Sequence, residues 1–248
     1  MNTQKLYYED MLKKECTATI IAIEKNKIIC DKTIAFPEGG GQIGDRGYLI
    51  YDNNKSIQFI DTKKGIGDIL HLNNKYTIKI NTPVYHIINS NDINKLSVGM
   101  KIKIVIDVLH RIKTSALHTA LHIALMAALT LKENLTSRIM GCHIDTEKAR
   151  IDFFCEDKFT SNDILKINEV ASNLITENIP IERYLYENKN EAWIWKCKNF
   201  ECPCGGTHLQ STGQIKNIKI KRKNVGKTIE RLIVTIDKTL LTEQMYHI

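Results

Sequence analysis

Long apolar runs are missing from this chain of 248 residues; stretches such as Ile123 to Leu129 fall far short of the roughly 20 residues a bilayer-crossing helix requires. No apolar segment follows Met1-Asn2-Thr3-Gln4-Lys5, so a secretory signal is not expected. A disulfide framework is excluded on similar grounds. The seven cysteines (Cys16, Cys30, Cys142, Cys155, Cys197, Cys202 and Cys204) are odd in number and scattered, with no export signal beside them. Reduced thiols in a cytoplasmic compartment are expected, some free to bind metal, with no membrane partner and a monomer favoured. Only four prolines occur, there is no internal repeat or low-complexity linker, and Ile, Lys and Asn abound, a bias of an AT-rich genome rather than of function. What remains is ordinary for a globular protein: 43% hydrophobic and 25% charged residues, enough for a sizeable core. The net charge of +7 is a modest excess that suits a polyanionic partner without requiring one.

Up to Val108 the chain reads as β-structure. Thr17 to Ile23, Lys27 to Asp31, Gly47 to Tyr51, Ile57 to Thr62, Tyr76 to Ile80 and Lys101 to Val108 are short runs of Ile, Val, Tyr and Thr. Gly, Asn, Asp and Lys separate them, the pattern of a small antiparallel barrel or sandwich. The texture then changes. Residues 111–131 lack Pro and Gly and are rich in Ala and Leu, which predicts a helix. Two strands are expected between Arg138 and Phe154, turning at Asp145-Thr146-Glu147-Lys148. A second helix is expected from about Asn162 to Asn178, capped by Ser161 or Asn162 and closed by Pro180. From Ile181 to Ile236 the chain returns to strands. The fold class is therefore α+β: a β-barrel-like domain at 1–109 and an α+β domain at 110–248.

Two motifs carry chemistry. His118-Thr119-Ala120-Leu121-His122 puts two imidazoles one turn apart on the predicted helix, where both can face one ion. Cys204-Gly205-Gly206-Thr207-His208 offers a thiolate and a third imidazole, and its glycines are read as freeing the backbone to turn inward. Either pair alone is common on a polar helix face or in a turn. Together they make the donor set of a tetrahedral Zn²⁺, with Cys202 as the rival thiolate. Four protein ligands normally close a structural site, whereas a catalytic zinc keeps a position for water, so ligand number leaves the role open.

Phe36-Pro37-Glu38-Gly39-Gly40-Gly41-Gln42-Ile43-Gly44-Asp45-Arg46-Gly47 lies between two predicted strands. Three successive glycines allow close approach of a ligand or another segment, and no Lys-Ser/Thr follows as a Walker A loop requires. Between Lys216 and Arg231 stand Lys219, Lys221, Arg222 and Lys223, a basic strip that can follow a phosphate backbone or serve as a solvated face.

These three motifs together resemble the AlaX family of alanyl-tRNA editing proteins, freestanding relatives of the alanyl-tRNA synthetase editing domain. With its glycine-rich motif and length the chain is similar to the medium-length AlaX-M form. Ala35, where the family often has an aromatic residue, and Ile43, where Pro is common, depart from its pattern. The resemblance implies a β-barrel joined to an α+β editing domain and a zinc-dependent hydrolase that deacylates mischarged tRNA(Ala), chiefly Ser-tRNA(Ala), with Gly-tRNA(Ala) as second candidate. It implies His118, His122, Cys204 and His208 as zinc ligands, and Gly39, Gly40, Gly41 and Gln42 close to the editing pocket. Serine recognition asks for a hydroxyl partner, for which Thr119, Thr207, Thr136 and Ser137 are candidates. Lys219, Lys221, Arg222 and Lys223 are the candidate tRNA contacts. No catalytic group beyond the zinc site can be named. A non-catalytic, zinc-stabilised tRNA-binding module and editing of another mischarged tRNA stay open.

Overall fold

The computed structural model describes residues 2–52, 54–72 and 76–248. Its strands are β1 (Gln4–Lys5), β2 (Glu15–Glu24), β3 (Lys27–Cys30), β4 (Lys32–Thr33), β5 (Gly47–Tyr51), β6 (Lys55–Lys64), β7 (Asp68–Leu72), β8 (Tyr76–Ile80), β9 (Val84–Ile88) and β10 (Lys101–Ile106). Helix α1 (Val108–Leu129) follows, then β11 (Ile139–Ile144), β12 (Ala149–Phe154) and α2 (Ser161–Thr176). The chain ends in β13 (Glu182–Leu185), β14 (Trp193–Cys197), β15 (Phe200–Pro203), β16 (Ile215–Asn224) and β17 (Ile229–Thr239).

The expected barrel is present and closed, in the order β10-β2-β3-β9-β6-β5. Alternation builds it: Ile102, Ile104 and Ile106 of β10 point into the core while Lys101 and Lys103 face solvent. One predicted strand is placed differently. Tyr76–Ile80 is a strand, but it pairs with β7 in a separate two-stranded hairpin, and the sixth barrel strand is β9. Pro83 and His86 mask the apolar rhythm of β9. His86 is fully buried there, its Nε2 2.8 Å from Thr33 Oγ1 and its Nδ1–H donating to Ile28 O.

Helix α1 begins at Val108 rather than at 111, because Asp107 caps it by accepting the His110 N–H, and it ends at Leu129. Its length and composition alone would let it cross a bilayer, contrary to the run-length reading, but most of it is buried inside the protein. Burial on nearly all sides explains why its last turns, from Ile123 to Leu129, are apolar all round. Fully buried Ala116, Ala120 and Ala124 let neighbours approach closely. These neighbours are α2 and the sheet β11-β12-β17-β16. Helix α2 starts at Ser161 and is capped by Thr160, one residue before the expected Ser161 or Asn162: Thr160 and Asp163 form a capping box, and Ile167, Ala171 and Leu174 face the core. Strands β13-β14-β15 make a small third sheet that brings Cys202 and Cys204 over α1.

Candidate metal centre

On α1, His118 and His122 turn towards the loop after β15. There His118, His122, Cys204 and His208 each bring a donor atom within 4.8 Å of all the others. Cys204 Sγ lies 3.5 Å from His118 Nε2 and 3.3 Å from His208 Nε2. A tetrahedron with bonds of about 2.0–2.3 Å has edges of about 3.5 Å, so this donor set fits one ion.

The proton positions follow from groups behind the ligands. Gln42 faces the backbone N–H of Thr207 at 3.1 Å, an unambiguous donor, so the atom turned towards it is Oε1. That oxygen also accepts from His118 Nδ1 at 2.8 Å, which leaves the lone pair of His118 on Nε2, facing Cys204. Thr119 Oγ1 donates to Ser115 O at 3.0 Å and accepts the Leu209 N–H at 3.0 Å. Towards His208 Nδ1, 3.2 Å away, it therefore offers a lone pair, and His208 likewise presents Nε2 to the centre. His122 Nδ1 faces Cys202 Sγ at 3.6 Å, so the rival thiol stands behind a ligand rather than among them. Each imidazole thus has a partner on its outer nitrogen, the usual support for a ligating histidine.

Burial sets the charges. It holds His118 and His208 well below the ordinary histidine value, with neighbouring imidazoles and Arg183 adding to the effect, and lowers His122 to about 4. The imidazoles stay neutral, as ligation requires. Burial also pushes the Cys204 thiol up to about 11, against the Gly206 backbone and Arg183, so a metal must displace its proton. In metal-free protein these buried neutral imidazoles tie stability to pH. His86 and His122 are neutral in the fold down to about pH 4, whereas unfolded histidines take up protons below about 6.5. Each should cost about 1 kcal/mol per pH unit between these limits. The urea midpoint should fall steadily from pH 6.5 to pH 4.5; a flat profile would contradict the buried neutral state.

The glycines act through space more than conformation. Gly205 and Gly206 do not have positive φ, so the reading of a backbone freed by unusual angles is corrected for them. What Gly206 supplies is room: a Cβ there would lie 2.2 Å from His118 Cε1. Gly41 needs both, with φ +86° and its missing Cβ 2.5 Å from Cys142 Sγ. The loop lies along the edge of β11, Ile144 N–H donating to Gly41 O at 2.7 Å and Ile43 N–H to Ile144 O at 3.1 Å. That contact carries Gln42 to His118.

A cleft of about 860 Å³ opens over the cluster. Gly39, Gly40 and Gly41 line it with His118, His122 and Cys204, while Gln42 is fully buried behind the ligands. Thr119 and Thr207 are also fully buried outside the cleft wall, Thr207 Oγ1 receiving Gln42 Nε2 at 2.8 Å and Ser115 Oγ at 2.7 Å. Thr136 lines the cleft; Ser137 does not, and donates to Asn134 O. Lys219, Lys221, Arg222 and Lys223 lie on β16, the sheet edge opposite β11, and Arg222 is held by buried Glu230 at 2.5 and 2.9 Å. Nothing in residue spacing points to Gln42 as support for His118, to Cys202 behind His122, or to Trp195, whose ring centre lies 4.5 Å from that of His122.

Residues 194–233 match the family of the threonyl and alanyl tRNA synthetase second additional domain, and residues 2–107 match that of the class II (A) tRNA synthetases. The alanyl-tRNA editing protein AlaX-M of Methanosarcina barkeri is 28% identical over 258 residues, covering 94% of this chain and 99% of that protein. AlaX-M of Methanosarcina mazei is equally similar, with 96% of that protein covered. The alanine–tRNA ligase of Metallosphaera sedula is 28% identical over 88% of this chain, which spans only 24% of the ligase.

Proposed function

We propose, from the premise that this chain is a relative of the AlaX-M alanyl-tRNA editing proteins along 94% of its length, that it deacylates mischarged tRNA(Ala) in trans, with zinc as its metal and Ser-tRNA(Ala) as its chief substrate. Gly-tRNA(Ala) is the second candidate. The observation that carries this reading is the His₃Cys cluster facing a cleft of about 860 Å³, room enough for an aminoacyl-adenosine end. Three imidazoles and one thiol suit Zn²⁺ better than the oxygen-seeking divalent ions. Bound there, zinc supplies Lewis-acid polarisation of an ester carbonyl or a more acidic water.

The chain's own residues do the positioning. Gln42 and Thr119 fix the ring orientation of His118 and His208, and Cys202 backs His122. Gly39 to Gly41 expose bare backbone along the wall, where sugar and carbonyl oxygens can approach. The hydroxyls of Thr119, Thr207 and Ser137 are engaged within the protein, which leaves Thr136, whose hydroxyl has no partner among the described residues, to pair with the serine side chain. A site built to pair with a hydroxyl discriminates strongly against the analogue that lacks it.

The test is a deacylation assay on a panel of mischarged tRNAs beside Ala-tRNA(Ala). Serine release with alanine retained is the expected result; no turnover on any member would favour a binding module. Thr136→Val, which keeps shape and removes the hydroxyl, should lower kcat/KM for Ser-tRNA(Ala) about tenfold, the scale of one lost hydrogen bond. Gly-tRNA(Ala) should be unaffected. An equal loss on both substrates would remove Thr136 from serine recognition.

A further inference from the structure

The cleft wall holds more positive charge than its own acids neutralise. Of its carboxylates, Glu191 is taken by buried Lys5 at 2.7 Å and Glu38 by Lys63. Lys64 and Lys79 also line the cleft, and their ammonium groups have no ion-pair or hydrogen-bond partner among the described residues. Lys64 lies against the glycine-rich loop, its Nζ 3.2 Å from where a Gly39 Cβ would be. Burial, reinforced by Lys5 and Lys79 and opposed by Glu191 and Cys204, lowers its pKa, and an anion beside it would relieve that penalty.

An aromatic group lines the same cleft as these cations. Tyr76, 40% exposed, reaches the cleft from β8 and stacks on no ring or cation among the described residues. The β7–β8 hairpin pairs with no other described strand. A free amino acid has a single carboxylate for one cation and a small ester has none, and neither needs an aromatic face. Single-stranded nucleic acid uses both, phosphates on the lysines and a base on the ring.

We propose that β8 and Lys64 form the seat for the single-stranded 3′ end of the RNA, with Tyr76 stacking on a base and Lys64 and Lys79 neutralising phosphates on the way to the metal centre. The identity of the RNA rests on the deacylase reading; the seat itself does not. It is also distinct from the basic strip, since β16 belongs to a different sheet from both β8 and the strand that carries Lys64.

Fluorescence anisotropy with uncharged tRNA and with a short single-stranded RNA of the same 3′ sequence, from 50 to 300 mM salt, tests this directly. Lys64→Gln with Lys79→Gln should flatten the slope of log Kd against log salt by roughly 1.4, about 0.7 for each single-strand phosphate deprived of its lysine. Lys64→Arg with Lys79→Arg should retain the slope. Tyr76→Ala should weaken the short RNA about tenfold, and Tyr76→Phe should not. The KM for deacylation should rise in step with Kd. An unchanged salt slope in the Gln pair, or a loss carried wholly by Lys219→Gln, Lys221→Gln and Lys223→Gln together, would overturn the proposal. Binding is read without turnover, so a chain that grips RNA here but deacylates nothing would refute the deacylase reading and leave the seat standing.

Discussion

Cys204→Ala should purify without bound metal and lose deacylation by roughly 10³-fold or more, because several kcal/mol of transition-state stabilisation go with the ion. His118→Ala should do the same. Cys202→Ala should keep one metal per chain, since its sulfur faces His122 Nδ1 and not the centre, and should show only a partial loss of activity and affinity. Metal content by mass spectrometry and turnover are measured on the same preparations, with circular dichroism to show that the fold persists. The charge state adds an independent readout. Without an ion the Cys204 thiol is held up at about 11 and the three imidazoles are neutral, so at pH 7.5 zinc uptake should release about one proton. Zinc affinity should climb about tenfold per pH unit below that value. Calorimetry in two buffers of different ionisation enthalpy measures the release. Full turnover by metal-free Cys204→Ala would end the catalytic role and leave zinc, at most, a structural one.

How much of this centre can be read from residue order depends on which physical rule places each group. His118 and His122 are visible because an i, i+4 pair on an Ala/Leu-rich helix faces one side by geometry alone, and Cys204 and His208 because the same spacing recurs around two glycines. The barrel is visible for a similar reason, through two-residue alternation in strands such as β10. Gln42 is visible only as part of a glycine-rich motif near the pocket. Its contact with His118 spans 76 positions and depends on a loop lying along the edge of β11, which no local pattern encodes. Thr119 and Thr207 attract attention as hydroxyls between ligands, yet each is consumed by neighbours that only the fold supplies. The β9 strand escapes because a proline precedes it and a histidine sits at its centre. That histidine is satisfied by Thr33 and Ile28, themselves distant in the chain.

Asp45→Ala should cost about 3–5 kcal/mol of stability, the usual penalty for leaving one member of a buried ion pair uncompensated. Arg111 and Asp45 are both fully buried. Arg111 Nε lies 3.1 and 3.0 Å from the two carboxylate oxygens, and Nη2 also contacts Asp45. The rest of the guanidinium donates to Met11 O at 3.2 Å and Ile34 O at 2.8 Å, so it cannot swing out to water without breaking those bonds as well. Asp45 meanwhile closes the glycine-rich segment on itself: its carboxylate accepts the Phe36 N–H at 2.7 Å, and its own N–H donates to Phe36 O at 2.8 Å. The pair therefore fastens the base of the loop to α1 two turns before His118, while Gln42 fastens the loop's far side to His118 itself. Removing the carboxylate should lower the melting temperature by about 10 °C and reduce deacylation through misplacement of Gln42. Asp45→Leu combined with Arg111→Met removes both charges and should recover a large part of the stability, because two apolar groups leave no buried charge unpaired. Deacylation should recover less, since the double variant still lacks the carboxylate that ties Phe36 to the loop base. A double variant no more stable than Asp45→Ala would show that the bonds then lost at Phe36, Met11 and Ile34 outweigh the relief of the unpaired charge.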